Sequence, residues 1–278
     1  MKKLILTTLI FKAITGFSQI KYDDFITSSE RTSYPKIHVK NRSYVPNASL
    51  IEANVKYTKR VIRCIDTRQK MNKPLDWPRN PLNKILTDNI LSGNIIPYKN
   101  DSLSSSFTIN NFKERGVVEI VSSYSVDPED PSNAIDTVIY EQLDYTTIKK
   151  FWVMEEWNFD SKHSVLKPKI IAIAPIFSPT YAGFQANEQP LCWILMDEVR
   201  HILSRSEMFN RYNDAARLSY DDFFQMRIFD SYIVFESNVY DQYINQFEEY
   251  EDNGVAALIK SDEIKNDIFI FEHDLWQF

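Results

Sequence analysis

The stretch between residues 149 and 196 constrains the fold most strongly, because it has the pattern of three consecutive antiparallel strands. Polar and apolar side chains alternate over residues 150–159, as in a strand with one buried face. A polar turn leads to a second apolar run at 165–177, and a loop with prolines and a glycine leads to a third at 191–196. A sheet of this width needs helices over its apolar face, so the stretch predicts a central antiparallel sheet with a helical layer.

Helical periodicity on both sides of this stretch predicts the covering layers. We expect one helix from Val55 to Met71. A second helix has Asn80 as its N-cap and ends at a left-handed Gly93. Ser219 caps a third helix, whose apolar face continues to Val239.

The last helix is predicted from residue 253 or 254 to the end of the sequence. From residue 264 to residue 275, its apolar positions are separated by steps of four, three and four residues, as on a single buried helix face. This predicted seam consists of Leu258, Ile264, Ile268, Phe271, Leu275 and Phe278. With strands in the middle and helices at both ends, the fold class is α+β.

Three segments have weaker patterns. Residues 117–123 and 134–143 have the composition of two strands joined by a turn at 127–131, and they are candidates to extend the central sheet. Residues 99–115 are polar and predict a loop or a weak helix. Residues 197–206 predict either a short helix or a continuation of the third strand.

The first eighteen residues have the pattern of a secretory signal peptide. Lys2 and Lys3 give a basic start, an apolar run from Leu4 to Ile14 follows, and small residues precede Gln19. The run is too short to span a bilayer comfortably, so we predict cleavage after Ser18. No cysteine follows that bond, and the mature chain is therefore not expected to be a lipoprotein itself. An uncleaved membrane anchor is the alternative.

The charge of the mature chain argues against nucleic acid as a partner. Removing residues 1–18 takes away three lysines, so that 29 of the 32 basic residues face 38 acidic ones and the formal net charge changes from −6 to −9. Such a surface repels polyanions, and no basic stripe with interleaved aromatic residues is present in the sequence.

The mature sequence divides into an arm and a domain. Residues 19–54 have no sustained period and predict an extended arm, while residues 55–278 are enough for a single α+β domain with one sizeable core. The arm carries apolar side chains that it cannot bury by itself, which favours packing against a neighbouring subunit or another protein. A disordered spacer is the alternative.

The two cysteines, Cys64 and Cys192, both lie inside apolar runs. This position favours two separately buried thiols. A Cys64–Cys192 disulfide is the alternative in an oxidising compartment, because sequence alone does not fix pairing.

The residues that carry chemistry do not form a recognisable catalytic or metal site. Glu155 and Glu156 are neighbours in a strand, so their side chains point to opposite faces and cannot flank one scissile bond. Asp197 and His201 have the spacing of a helical metal pair, but no third ligand is evident. His163 lies in a turn and is expected to be solvated, as is His38.

Two further patterns are excluded by geometry and composition. Glu272, His273 and Asp274 fan out by about 100° each on a helix and cannot all bind one ion. Five glycines in the chain are too few and too scattered for a phosphate loop or a nucleophile elbow. We therefore predict no catalytic, cofactor-binding or metal-binding residues.

Several motifs occur in a fixed order along the chain: NKPLDWPRNPLNKIL, EEWNFDSKHSVLKPKIIAIAPIF, PLCWILMDEVR, ESNVYD and DIFIFEHDLWQF. Together with the segment 60–66, they resemble the GldN/PorN family of Bacteroidetes gliding-motility and type IX secretion proteins. The resemblance covers most of residues 55–278, whereas residues 19–50 and 100–145 match poorly. The family pattern has bulky apolar residues at positions 64 and 192, which supports two buried thiols.

The resemblance implies a periplasmic structural subunit without catalytic residues. Members of the family form a ring beneath the outer membrane with a GldK/PorK-like lipoprotein, and they associate with a GldM/PorM-like subunit of the inner-membrane complex. Two other functions stay open on the sequence. One is a monomeric periplasmic binding or chaperone-like module, and the other is a glycan-processing enzyme, which would need two facing carboxylates in a deep pocket.

Overall fold

The computed structural model describes residues 42–125, 134–142, 144–181, 184–213, 215–251 and 253–275. Its strands are β1 (Val55–Asp66), β2 (Pro97–Tyr98), β3 (Val117–Ser125), β4 (Ala134–Gln142), β5 (Lys150–Asp160), β6 (Val165–Phe177), β7 (Thr180–Tyr181), β8 (Phe184–Gln185), β9 (Gln189–Pro190), β10 (Trp193–Leu195), β11 (Glu207–Met208), β12 (Leu218–Ser219) and β13 (Tyr232–Glu236). Its helices are α1 (Leu82–Leu91), α2 (Ile109–Arg115), α3 (Met196–Leu203), α4 (Tyr220–Gln225) and α5 (Gly254–Asp274).

A seven-stranded antiparallel sheet forms the centre, in the order β13-β1-β5-β6-β10-β2, with β9 paired to the end of β6. The strands predicted at 150–159, 165–177 and 191–196 correspond to β5, β6 and β10, which are neighbours in this order. The α+β class with a central antiparallel sheet is therefore confirmed. The third strand is shorter than predicted, because α3 already begins at Met196.

The predicted helix from Val55 to Met71 is wrong, since residues 55–66 form β1 in the middle of the sheet. Burial alternates along β1 up to Arg60, and then five consecutive residues are buried because both faces of the sheet are covered there. A strand buried on both faces loses its period of two. Its apolar positions then match helical spacing by chance.

One face of the sheet carries two apolar clusters. The larger cluster packs against α1, α3 and α4 and includes Ile65 and Phe151. The smaller cluster packs against α5 and includes Val61, with Trp157 beside it. Because side chains alternate along β1, Arg63 lies on the same face between the two clusters.

The opposite face of the sheet is lined by a third cluster of apolar side chains. Trp152 lies at its surface, with ring centroids 4.9 Å from Tyr243 and 6.4 Å from Trp193. Tilted aromatic contacts of this kind add to the free energy gained by burial. The buried members of this third cluster are Ile62, Met154, Ala172, Ala174, Trp193 and Phe235.

Helix α1 has the predicted buried stripe and the predicted end. Leu82, Ile85, Leu86 and Ile90 are all buried. Gly93 has φ +75°, and its N–H donates to the carbonyl of Ile90, which closes the helix. The N-cap is Pro81 instead of the predicted Asn80, because the Asn80 side chain donates to the Glu207 carbonyl at 3.0 Å.

Helix α4 begins as predicted but is much shorter. The capping box of Ser219 and Asp222 is present, while the helix ends at Gln225 and residues 232–236 form the edge strand β13. The predicted continuation to Val239 is therefore wrong. Ile233 and Phe235 are buried alternately in β13, a strand period that apolar spacing alone did not separate from a helix.

The segments with weaker patterns form two strands and two helices. β3 and β4 pair with each other as a separate two-stranded sheet, so they do not extend the central one. The turn predicted at 127–131 lies outside the described residues. Residues 109–115 form α2, and residues 196–203 form α3, which decides that segment in favour of a helix.

Helix α5 covers the edge of the sheet formed by β13. Asn253 caps it, as expected, and Ile264 and Ile268 are buried. The N–H of Ile233 donates to Ser261 Oγ at 2.6 Å, so the edge strand has a side-chain partner in place of a further strand. Leu258 was predicted in the buried seam but is 50% exposed, and Phe278 lies outside the described residues.

The predicted signal peptide, residues 1–18, and the first part of the predicted arm lie outside the described residues. Residues 42–51 belong to no helix or strand, and a short 3-10 turn at 52–54 leads into β1. In the described part of the chain, no helix is both long enough and apolar enough to cross a membrane.

Candidate functional site

Glu155 and Glu156 lie on opposite faces of β5, as predicted, and their surroundings differ. Glu155 is completely buried. Glu156 pairs across the strands with Arg60, at 2.7 Å, on the surface. Since the two carboxylates are separated by the sheet itself, they do not face one substrate.

Glu155 is the centre of a buried ionic cluster. Arg63 Nε donates to Glu155 Oε2 at 3.0 Å, and Arg227 Nη2 donates to the same oxygen at 3.1 Å. Arg227 Nη2 also lies 2.9 Å from Oε1. The ring of Trp157 lies 5.9 Å from the guanidinium carbon of Arg63 and 5.7 Å from that of Arg227. One carboxylate, two cations and an aromatic ring thus fill the boundary between the two apolar clusters.

The cluster has the properties of a structural centre. Burial lowers the pKa of Arg63 from its ordinary value; the charge of Glu155 opposes this shift, and that of Arg227 adds to it. An arginine stays protonated at neutral pH even so. Glu155 is completely buried between two arginine side chains and has no open path to a substrate, so its role is to join β1 to β5.

Arg227 reaches Glu155 through an unusual backbone conformation. It has φ +55°, in the left-handed region, directly after the end of α4. The N–H of Ile228 donates to the carbonyl of Phe223, which is the helix-ending motif that usually places glycine at this position. A non-glycine residue there costs about 1–2 kcal/mol. The ion pair with Glu155 gives a physical reason for an arginine.

The candidate metal pair does not form a site. Asp197 and His201 lie on α3, as the spacing required, but Asp197 points towards Lys169 at 3.3 Å and His201 is exposed. Over the described ranges, no group of three His, Cys, Asp or Glu side chains has an arrangement that could hold a metal ion.

The other histidines lie where the sequence placed them or outside the described residues. His163 is exposed in the β5–β6 turn and hydrogen-bonds to Asp160, which lowers the pKa of that carboxyl group. His273 is exposed near the end of α5, 3.8 Å from Asp274. His38 falls in the part of the chain that the structure does not describe.

The two cysteines are separate buried thiols, as predicted, and the alternative of a disulfide is wrong. Burial raises the pKa of Cys64 to about 11 and that of Cys192 to about 12. The thiolate is the reactive form of cysteine, so neither side chain is suited to nucleophilic chemistry near neutral pH.

An open groove of about 900 Å³ lies beside β13 and the first turns of α5. Three carboxylates line it, and two of them are already paired: Asp66 binds Arg68, and Glu188 binds Lys150 at 2.6 Å, while Glu251 is the third. The hydrogen bonds from Arg68 lower the pKa of Asp66, whereas a general acid needs a raised one. A glycan-processing enzyme would require two facing carboxylates, and two of the three in the groove are engaged in these ion pairs.

A buried arginine holds the N-terminal segment on the domain, and we call this contact the arm clasp (residues 42–47 with Arg200 and Asp221). Arg200 is 2% exposed, and its Nε donates to Asp221 Oδ1 at 2.8 Å. Its Nη2 donates both to Asp221 Oδ2 at 3.1 Å and to the Val45 carbonyl at 2.7 Å, and its Nη1 donates to Asn47 Oδ1 at 3.1 Å. The guanidinium also lies 4.9 Å from the ring of Tyr44.

The arm clasp was not predicted from the sequence. Arg200 is a charged helix residue, and no periodicity in the sequence marks such a residue as buried. Residues 42–47 thus contact their own domain, although the arm as a whole was predicted to pack against another protein. Arg42 adds an ion pair with Asp222, at 2.9 Å, on the surface.

The outward side of α5 exposes large apolar side chains, and we call it the outer face of α5. This surface lies opposite the buried Ile264 and Ile268, and nothing in the described residues covers it. Exposed apolar groups of this size on one face are typical of interaction surfaces. The apolar members are Val255, Leu258, Ile259, Phe269 and Ile270, with exposed fractions of 50–69%.

Comparison with known protein families agrees with the resemblance noted from the motifs. The family model described as gliding motility associated protein GldN matches residues 50–277. This range includes the whole central sheet, the ionic cluster and α5. No curated protein matched the chain in a direct comparison. Because the family model covers most of the chain, the protein belongs to the GldN family of gliding motility associated proteins.

Proposed function

We propose that the chain is a periplasmic structural subunit of the gliding-motility and type IX secretion machinery. In this proposal it forms a ring with copies of itself and a GldK/PorK-like outer-membrane lipoprotein, and it contacts a GldM/PorM-like subunit of the inner-membrane complex. The observation that carries the proposal is the family match over residues 50–277, which makes the chain a component of that machinery.

The distribution of apolar side chains supports an assembly role. The outer face of α5 and the segment 44–51 both expose apolar groups on the surface. The two buried ionic clusters, around Glu155 and around Arg200, hold strands or the N-terminal segment together. A subunit that binds several protein partners needs exposed anchors of the first kind more than a reactive cleft.

Periplasmic location is proposed from the first eighteen residues. A basic start, a short apolar run and small residues before Gln19 favour export and cleavage. N-terminal sequencing of the protein from a periplasmic fraction should begin at Gln19 or within two residues of it. An intact Met1 in the membrane fraction would instead support the anchor.

The direct test of the ring is the mass of the particles formed on co-expression with the lipoprotein. The full chain and the GldK/PorK-like lipoprotein should co-purify in detergent as particles many times larger than a heterodimer, visible as closed rings by electron microscopy. The chain expressed alone serves as the control. A stable one-to-one complex with the lipoprotein, or a monomer that does not bind it, would contradict the ring. Either result would support the monomeric binding or chaperone-like module.

The arm gives a second experiment with a matched control. Deleting residues 21–41 keeps the arm clasp, and we expect a native melting temperature with weakened assembly on the lipoprotein. Deleting residues 21–47 also removes Val45 and Asn47, the partners of the buried Arg200, so this variant should melt at a lower temperature as well. Normal particles from the first deletion would reduce residues 21–41 to a spacer.

A further inference from the structure

The outer face of α5 is organised as two parallel stripes of exposed residues. Successive residues of a stripe are four, three and four positions apart, so each stripe runs along the helix axis within the outer face. The first stripe is Leu258, Asp262, Lys265 and Phe269, and the second is Ile259, Glu263, Asn266 and Ile270. All eight residues are exposed.

Each stripe is complementary to its own reversed order. An apolar residue lies at each end, and an acidic residue and a residue that can bind a carboxylate lie between them. A two-fold axis at the level of Ile264 would bring each stripe against its own copy on an antiparallel helix. Leu258 then faces Phe269 of the second copy, and Asp262 faces Lys265. We propose that α5 pairs antiparallel with α5 of a second copy of this chain.

The charges in the first stripe are free to make this contact. Within the described part of the chain, neither Asp262 nor Lys265 has an ion pair, although they are only three residues apart. In the second stripe, Glu263 pairs with Lys260 at 3.0 Å, on the solvated flank of the helix, and can still accept from Asn266 of the other copy. Each dimer would gain two Asp262–Lys265 pairs across the axis.

Other occupants fit the same face less well. A parallel pair of identical helices would put Asp262 against Asp262 and Lys265 against Lys265, which repel each other. An anionic lipid surface favours helices with basic polar faces, whereas Asp262, Glu263 and Asp267 make this one acidic. A second copy is the partner that meets both the apolar ends and the charged middle.

The inference deepens the self-association in the proposed function, and it does not require the lipoprotein. A contact of one helix from each copy lies below the size of a standard protein interface. We therefore expect a dissociation constant on the order of micromolar for the isolated chain.

Charge exchange tests the pairing without disturbing the fold. Sedimentation of the full mature chain should show a monomer–dimer equilibrium. Asp262→Lys alone or Lys265→Asp alone places like charges opposite each other at both symmetric positions, and each should weaken the dimer about tenfold. The double exchange restores opposite charges and should recover the wild-type constant. Because both side chains are exposed, circular dichroism and melting temperature should stay unchanged in all three variants.

Mixed cross-linking tests the direction of the helices. Leu258→Cys mixed with Phe269→Cys should form a disulfide-linked dimer on mild oxidation, since the antiparallel pairing brings these positions together. Either variant alone should give almost none, because two copies of one position lie about 16 Å apart along the antiparallel axis, beyond the reach of a disulfide. The native Cys64 and Cys192 are buried and do not interfere.

Three results would overturn the proposal: a monomer at every concentration, cross-linking of a single variant with itself, or a charge exchange that fails to restore the dimer. Its failure is distinguishable from that of the proposed function. If particles with the lipoprotein form normally in both single charge variants while the isolated chain is monomeric, the ring stands and α5 pairing is wrong. If the chain dimerises through α5 but does not bind the lipoprotein, the proposed ring is wrong and α5 pairing stands.

Discussion

The two faces of α5 differ in what they do with similar apolar side chains. On the inner face, Ile268 is buried against the sheet, and Ser261 binds the edge strand through Ile233. On the outer face, the adjacent Phe269 is 65% exposed. The inner face therefore contributes to folding, and the outer face is the surface that we propose for association. One helix serves both purposes because neighbouring residues point about 100° apart.

Strand β5 shows the same contrast with charged residues. Glu155 is buried between two arginines, and its neighbour Glu156 pairs with Arg60 in contact with solvent. In both elements, adjacent positions in the sequence have opposite surroundings. Matched substitutions at these neighbours separate folding from function.

The largest loss in the free energy of unfolding is expected for a substitution of Glu155. Glu155→Gln leaves Arg63 and Arg227 beside each other without a counter-charge, and removing one partner of a buried ion pair costs about 3–5 kcal/mol. Glu156→Gln removes only a surface pair, worth about 0–1 kcal/mol. Urea unfolding of both variants gives the two values. Equal, small losses would mean that the buried cluster does not hold β1 to β5.

The next effect is expected at Ile268. Ile268→Ala deletes buried atoms from the smaller apolar cluster, and such changes cost about 2–5 kcal/mol. Phe269→Ala, one residue further along, should change the free energy of unfolding by less than about 0.5 kcal/mol. Thermal unfolding of the isolated chain measures both. A large loss at Phe269 would show that the outer face is packed within its own subunit.

A smaller effect is expected at Ser261. Ser261→Ala leaves the N–H of Ile233 without its acceptor at the edge of the sheet, at a cost of about 1–3 kcal/mol. Asp267→Ala on an exposed part of the same helix is the control. Hydrogen exchange at Ile233 should accelerate in the serine variant only, and unchanged protection there would mean that another group satisfies the edge.

The smallest effect concerns Cys64 and Cys192, and it is measured as the rate of their reaction with a thiol reagent. With pKa values of about 11 and 12, Cys64 and Cys192 should hardly react with a thiol reagent at pH 8, whereas Asn266→Cys on the outer face should react quickly. Since the folded-state pKa exceeds the unfolded value, their contribution to stability is complete below about pH 8 and is lost as the pH rises towards 11. Fast labelling of the native thiols in the folded protein would contradict their burial.

The sequence predicted those parts of the fold that are determined locally. The alternation in β5 and β6 and the stripe with Gly93 in α1 need only neighbouring residues to be recognised. β1 was mistaken for a helix because its burial on both faces depends on elements far away in the chain. Leu258 was wrongly assigned to the buried seam: it lies six positions before Ile264, which places it about 120° away around the helix.

The contacts that define the site are long-range and polar, and this is why they were missed. Arg200 meets Val45 across 155 positions in the sequence, and Arg227 meets Glu155 across 72. A lone charged residue in the sequence is more often solvated than buried, so nothing local marks these arginines. The motifs nevertheless identified the family correctly, since the family model matches residues 50–277.

The central claim is that the chain acts by assembly through exposed surfaces and not by chemistry at its carboxylates. The most direct measurement is cargo secretion in cells whose only copy carries Phe269→Glu or, as the matched control, Glu156→Gln. We expect normal protein levels in both strains, strongly reduced secretion with Phe269→Glu, and wild-type secretion with Glu156→Gln. Normal secretion with Phe269→Glu would contradict an assembly role for the outer face of α5, and loss of secretion with Glu156→Gln would contradict the claim that this carboxylate carries no chemistry.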